Sequence, residues 1–359
     1  MVLGIANSLI SVFLGLEVLS LPLYVLAASE RTDQGGEAGI KYLLLGAFAS
    51  GFLLFGFALI FGATGTLIIP QIAATGVDSP LLLAGFALAL VGLLFKLGIV
   101  PFHMWVPDVY QGAPTSVTAF MAIGTKVGAA AALLRFVDFG FYLLPSWWVP
   151  VLGYLAVLTI LVGNVLALVQ TDFKRLLAYS GIGNAGFLLV GLAAHNIDGA
   201  RAVVFYLWPY GLGVVGALSV LLLMAPKKEG VQVTDFRGLW QMRPGVAGVL
   251  AVSMLSLAGI PLTGGFTGKF YLLLAAMDAH QSGIAIGLVV GAMIGLAAYI
   301  RPLVYAFSPE SPDTVDHGYG SWAVWTVAGL TLFGTVGLGV YPAPLVHMVN
   351  QATNFFWLH

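Results

Sequence analysis

Ten stretches of roughly twenty or more mostly apolar residues follow one another along this chain, and nothing else limits its fold so severely. A helix rises about 1.5 Å per residue, so twenty residues cross the ~30 Å hydrocarbon core of a bilayer. In lipid every backbone N–H and C=O has to be satisfied within the spanning element, and helices do this segment by segment. The expected fold class is therefore all-α, a polytopic membrane protein with spans at about 3–28, 40–62, 81–100, 115–136, 147–170, 175–194, 201–225, 245–276, 282–305 and 321–345. A soluble alternative fails on charge: only 8% of residues are charged, against about 25% in soluble domains.

Several function classes drop out at once. The formal net charge is −1 and no basic face exists to bind phosphates, which excludes nucleic acid as a partner. The chain has no cysteine, so it holds neither a disulfide nor a cysteine-ligated cluster. Val2–Ala28 is longer than a signal-peptide core and lacks a basic start, so it reads as a span. The connecting loops are short, leaving no room for an extramembrane domain. Lysine and arginine divide unevenly between them. Arg31, Lys41, Lys174, Arg175, Lys227, Lys228, Arg237, Arg243 and Arg301 fall on one side, Arg135 and Arg201 on the other. The richer side is expected in the cytoplasm, with both termini outside.

Three lysines remain, and they lie inside spans. Lys126 is about eleven residues from either end of its span, some 16 Å, beyond the roughly 6 Å reach of its side chain. Glu17 in "LISVFLGLEVLSLPLY" is similarly central and has no long stem. A charge at this depth costs from ~3 kcal/mol upwards, and persists when paired, hydrated or neutralised. A structural ion pair between helices would account for any one such residue. Four on four spans, three of them lysines, fit a proton path better. A desolvated lysine can take up and release a proton, which an arginine cannot, and an ammonium has no lone pair for a metal cation. A carboxylate near a lysine then acts as a switch on its proton.

Lys96 and Lys269 each lie beside a predicted break: "KLGIVP" in the third span and "AGIPLTGGFTGKF" in the eighth. Breaks free backbone groups that only protein or water can satisfy, so they mark wet cavities and ion sites. Either break alone reads equally as a proline kink, as is expected at Pro209 in the seventh span. The two broken spans are five apart and so run oppositely, the signature of an inverted-topology repeat. His103 and Asp108 flank Trp105 in "PFHMWVPD" and are accessory candidates. His103 is either a proton relay or a capping and packing side chain. Asp172, Lys174 and Arg175 read as interfacial anchors. His195, His280, His317 and His347 are scattered without ligand spacing, so no metal or haem site is expected.

The stretches "LEVLSLPLYVLA", "FKLGIVPFHMWVPDVYQGAPTSVTAFMAIGTK", "DFKRLLAYSGIGNAGF" and "LAGIPLTGGFTGKFY" resemble the antiporter-like subunits of respiratory NADH:quinone oxidoreductase (complex I), in their N-type form. The likeness covers essentially the whole chain. The other members of the family, and the multisubunit Na⁺/H⁺ antiporters, typically read "PxHxWLPDAH" where this chain has "PFHMWVPDVYQGAP". The resemblance implies a proton relay in which Glu17 and Lys96 form a charge-switching pair, Lys126 is the central carrier and Lys269 leads to the outer exit. It implies partners among the other membrane subunits and the lipid, with flavin, iron–sulfur clusters and quinone held elsewhere, and a bacterial plasma membrane location. It also implies that four family helices ahead of the first span have no counterpart in these residues. On that basis 1–137 is a first repeat without its opening helix, 146–306 the second repeat, and 320–359 a C-terminal helix and tail. Where the family often carries histidine in "SSIAHAGY" this chain has Asn184, which can hold a water but cannot titrate. Two other readings stay open: a subunit of a cation/proton antiporter, and a non-conducting membrane scaffold.

Overall fold

The computed structural model describes residues 2–30, 32–224, 230–309 and 321–357, with side chains to 353. Arg31, Lys227 and Lys228 of the loop-charge count, and His317, lie outside the described residues. The chain is all-α. Nine helices among the described residues are long and apolar enough to cross a membrane, and the expected eighth span is two shorter helices in series, so the protein is multi-pass.

In chain order these are α1 (Val2–Ile5), α2 (Leu9–Ala27), α3 (Asp33–Thr64), the short α4 (Ile69–Ala74), α5 (Pro80–Leu97), α6 (Trp105–Gly112) and α7 (Thr115–Phe120). The span begun by α7 continues through a π-helical turn, Met121–Thr125, into α8 (Lys126–Arg135) and a second π turn, Phe136–Gly140. Then follow α9 (Pro145–Val169), α10 (Phe173–Ala193), α11 (Ile197–Met224), a 3₁₀ turn (Val233–Phe236), α12 (Leu239–Met242), α13 (Pro244–Ala258), α14 (Gly264–Asp278), α15 (Ser282–Ala306), α16 (Trp322–Val340) and α17 (Ala343–Trp357).

The starts of these helices are written locally. Ser8 caps α2 in a reciprocal box with Ser11, Thr32 caps α3, Ser79 with Pro80 opens α5, and Asp172 caps α10. Each offers a side-chain oxygen to an N–H that has no partner in the first turn. Both expected breaks are present. α5 ends at Gly98 and α13 at Gly259, each in the left-handed region with φ of 77° and 84°. In both, the glycine and the residue after it donate back to the last turn: Gly98 and Ile99 to Phe95 and Leu94, Gly259 and Ile260 to Ser256 and Leu255. This is a Schellman stop made twice.

Three expectations are corrected. The first span is interrupted at Ala6–Ser8, because Asn7 and Leu9 turn their backbone to Ile69 and Leu67 in a short antiparallel bridge. Lys41, counted among loop cations, lies in the third turn of the 32-residue α3. The last span stops at Val340: Tyr341 and Pro342 end it, and a further helix, α17, lays Leu345 and Val349 on Phe205. Pro209, by contrast, is accommodated within the uninterrupted α11.

The fold divides into two compact units, Met1–Thr159 and Ile160–His359. In the first, α3 and α5 approach closely through small residues; a Cβ on Gly56 would stand 2.4 Å from the Ala89 nitrogen. In the second, α11 is the central helix, packed by α10, α13, α14 and α16. Several elements of the first unit recur in the second at one offset. The bridge Ser8–Ile68 recurs as Asp172–Gln232, 164 residues later. At the same offset α3 matches α11, α4 matches the 3₁₀ turn, and Pro80 opening α5 matches Pro244 opening α13. Arg135 ends α8 and donates to the Gly4 and Ala6 carbonyls; Arg301 on α15 donates to the Leu168 carbonyl.

Candidate functional site

In the first unit the broken third span sets the geometry. The four last carbonyls of a helix have no partner within it, and α5 ends in the protein interior. The Trp105 indole donates to the Phe95 carbonyl at 2.9 Å, and the Val100 N–H beyond the break donates to the Thr159 hydroxyl at 3.2 Å. Lys126 donates to the Leu97 carbonyl at 2.8 Å. Its side chain is 1% exposed and follows directly on the π turn of its span. π turns are rare and concentrate at functional sites.

Lys96, one residue before that carbonyl, points elsewhere. Its Nζ donates to the Tyr42 hydroxyl at 3.3 Å and lies 5.0 Å and 5.6 Å from the ring centres of Tyr42 and Tyr24. Tyr42 is stacked on Trp105 and meets Tyr24 edge-on, so the ammonium sits on an aromatic shelf. Glu17 is half-buried and accepts a hydrogen bond from the Ser50 hydroxyl. Glu17 and Lys96 form no direct ion pair among the described residues. Beside Lys96 lies a small cavity, of the size one water needs, lined also by Ser20, Tyr24 and Ser50, the hydroxyl that donates to Glu17.

In the second unit Lys269, on α14, donates to the carbonyls of Leu257 and Ala258 at 2.6 and 3.1 Å. These are the last two residues of α13. The ammonium is also 4.8 Å from the Phe187 ring centre. Ala258 and Leu97 hold the same place in the repeat, directly before the left-handed glycine. Each unit thus sets one buried amine on the open end of a half-helix, in the first from α8 and in the second from α14. Two opposing influences meet at each amine: removal from water, and the negative end of the half-helix dipole.

Asn184 is the centre of a polar cluster in this unit. It accepts from the Tyr206 hydroxyl, and its amide donates to the Tyr299 hydroxyl at 3.1 Å and to Ser180 at 2.8 Å (carbonyl) and 3.2 Å (Oγ). Ser180 and Tyr299 are 2.7 Å apart. Tyr206 meets Phe187 edge-on, which connects the cluster to the ring beneath Lys269.

The accessory candidates fall elsewhere. Asp108 binds Lys41 at 2.6 Å, and Lys41 also binds Glu37 at 2.5 Å, a half-exposed triad at the start of α3. His103 is buried in the turn between α5 and α6, where its Nδ1 has no hydrogen-bond partner among the described residues. Asp172 is an N-cap, its carboxylate taking the Arg175 N–H at 2.8 Å. Burial pushes its carboxyl above the ordinary 3.8, opposed by backbone donors and by Lys174 and Arg175. Among the described residues no three His, Asp or Glu side chains come together as a metal site. Sequence reasoning missed Tyr24, Tyr42, Ser50, Tyr206 and Tyr299. Tyrosines in a hydrophobic span carry no distinguishing local signal.

Broken helices with amines on their open ends, on a polytopic frame, define an antiporter-like membrane protein. Residues 6–295 match the model of the NADH:quinone oxidoreductase/Mrp antiporter transmembrane family. NADH-quinone oxidoreductase subunit N of Desulforamulus reducens is 38% identical over 361 residues, which is 99% of this chain and 75% of that one. The subunit N of Salinispora arenicola is 44% identical over 371 residues, 98% and 71% of the two chains. A chain of respiratory complex I from Thermus thermophilus with bound aureothin superposes with a TM-score of 0.85 at 36% identity, covering 96% of this chain and 76% of that one. A chain of the Mrp complex from Dietzia sp. DQ12-45-1b gives 0.88 at 25% identity, covering 97% and 74%. The chain belongs to the subunit N family of the NADH-quinone oxidoreductases.

Proposed function

We propose that this chain moves protons across the membrane through Glu17, Lys96, Lys126 and Lys269, as a membrane subunit of an NADH:quinone oxidoreductase, driven by quinone reduction elsewhere in that assembly. The observation that carries the reading is the doubled motif of a buried amine on the open end of a half-helix. Such an amine can change protonation state without moving far, because the carbonyls accept an N–H from the ammonium and from the neutral amine alike. In this reading Glu17 is the charge partner of Lys96, and the one-water cavity lined by Ser50 and Lys96 gives the pair a route for exchange. Tyr42, Tyr24 and Trp105 hold the Lys96 amine in place. The two units are read as two copies of one repeat, each supplying one amine of this kind.

The partners are the other membrane subunits of the complex and the surrounding lipid. Flavin, clusters and quinone belong to other subunits, and the setting is the bacterial plasma membrane. The likeness to an Mrp complex chain favours one second reading, a cation/proton antiporter subunit.

The test is Lys126→Met in the assembled complex, reconstituted in vesicles. Proton uptake per NADH oxidised is expected to fall by at least about tenfold, the effect of ~1.4 kcal/mol on a barrier. Unchanged pumping would assign the chain a scaffold role, and pumping that depends on Na⁺ would favour the antiporter.

A further inference from the structure

Apart from the relay, the second unit contains a cavity of about 340 Å³ between the first turns of α11, the end of α14 and one face of α17. Its volume lies within the range of small-ligand sites, roughly 300–1,000 Å³. Three charged residues stand at its rim: Asp198 and Arg201, joined at 3.0 Å, and Asp278, which has no partner among the described residues. Asp198 is the second residue of α11 and Asp278 the last of α14, so the rim lies where spans end, at the level of the bilayer surface. One to two turns deeper the walls are Phe205, Tyr271 and Val349. The cavity therefore passes from charged to apolar along the direction a lipid passes from headgroup to chain.

We propose that this cavity binds a phospholipid whose headgroup carries a primary amine. Two carboxylates and one guanidinium give the rim a net negative charge, and the C-terminal end of α14 adds the negative end of a helix dipole beside Asp278. The ammonium is placed against Asp278, the phosphate against Arg201, and an acyl chain along Phe205 and Val349. An anionic headgroup meets repulsion from Asp198 and Asp278. A quaternary ammonium supplies charge but no N–H to donate. The site is independent of the proton relay and stands or falls separately from it.

The test is native mass spectrometry of the full chain in detergent, titrated with phosphatidylethanolamine, phosphatidylcholine and phosphatidylglycerol of identical chains. Phosphatidylethanolamine is expected to bind tightest. Asp278→Asn should weaken it by about tenfold, the size of one lost charge-assisted contact, while leaving phosphatidylglycerol unchanged or improved. Val349→Trp, which fills the apolar end, should abolish binding, and glycerophosphoethanolamine, which has no chains, should not bind. Equal binding of the three lipids by the unmodified chain overturns the proposal. So does undiminished phosphatidylethanolamine binding by Asp278→Asn, or binding of the chainless headgroup as tight as that of the lipid.

Discussion

A single buried carboxyl at the start of α10 illustrates how position decides what a charged residue does. Asp172 follows one span and precedes the next, and reads as an anchor facing water. It is instead buried, where its carboxylate caps a helix and its backbone position faces Gln232 in a short bridge. Asparagine caps equally well, so Asp172→Asn should leave stability within about 0.5 kcal/mol near neutral pH, whereas Asp172→Ala should lose about 1 kcal/mol. Because burial raises the carboxyl above 3.8, the protonated form favours the folded state. The stability that protonation gives wild type relative to Asp172→Asn is full below that value. It is lost as pH rises through the raised folded value and constant beyond it. Thermal unfolding midpoints of both proteins across the acid range read the difference directly; a difference that grows with pH would reverse the sign. The lysines teach the complementary lesson. Lys96 and Leu97 are adjacent, yet one presents its side chain to Tyr42 and the other its carbonyl to Lys126.

The element that matters most is the half-helix closed by a left-handed glycine. A Cβ on Gly259 would lie 3.0 Å from Lys269 Cδ and 3.4 Å from its Nζ, and any other residue there carries the left-handed penalty of about 1–2 kcal/mol. Gly259→Ala should therefore both destabilise the chain by about that amount and push the amine from the Leu257 carbonyl. Gly248, in the middle of α13, faces open space; Gly248→Ala should instead stabilise by roughly 0.5–1 kcal/mol through helix propensity. Opposite shifts in thermal unfolding for two alanines on one helix would support this account, and equal shifts would count against it. The breaks were legible beforehand because proline and paired glycines cannot continue a helix. The break at Ala6–Ser8 was not, because its cause is a bridge to Ile68, sixty residues away.

For the whole molecule, the unequal distribution of lysine and arginine in the sequence predicts an orientation that can be measured. The chain has no cysteine, so a thiol introduced anywhere is unique. Ser29→Cys, in the loop after the first span, should react with an impermeant reagent only from the cytoplasmic side, and Asp78→Cys, before α5, only from outside. Labelling of both from one face would remove the orientation.

The sequence by itself determined the class of fold, the number of crossings, the two broken spans and the four ionisable residues at bilayer depth. Each of these follows from short-range rules: the length needed to cross hydrocarbon, the cost of a charge within it, and the inability of proline and glycine to continue a helix. Only the tertiary structure decided what the amines touch. The Leu97 and Leu257 carbonyls, the shelf of Tyr24 and Tyr42, and the cluster of Ser180, Asn184, Tyr206 and Tyr299 bring together residues far apart in sequence. Every backbone carries a carbonyl and every span here carries apolar side chains, so nothing in their local sequence marks these partners. They are selected by helix packing, which brings one open helix end to one amine.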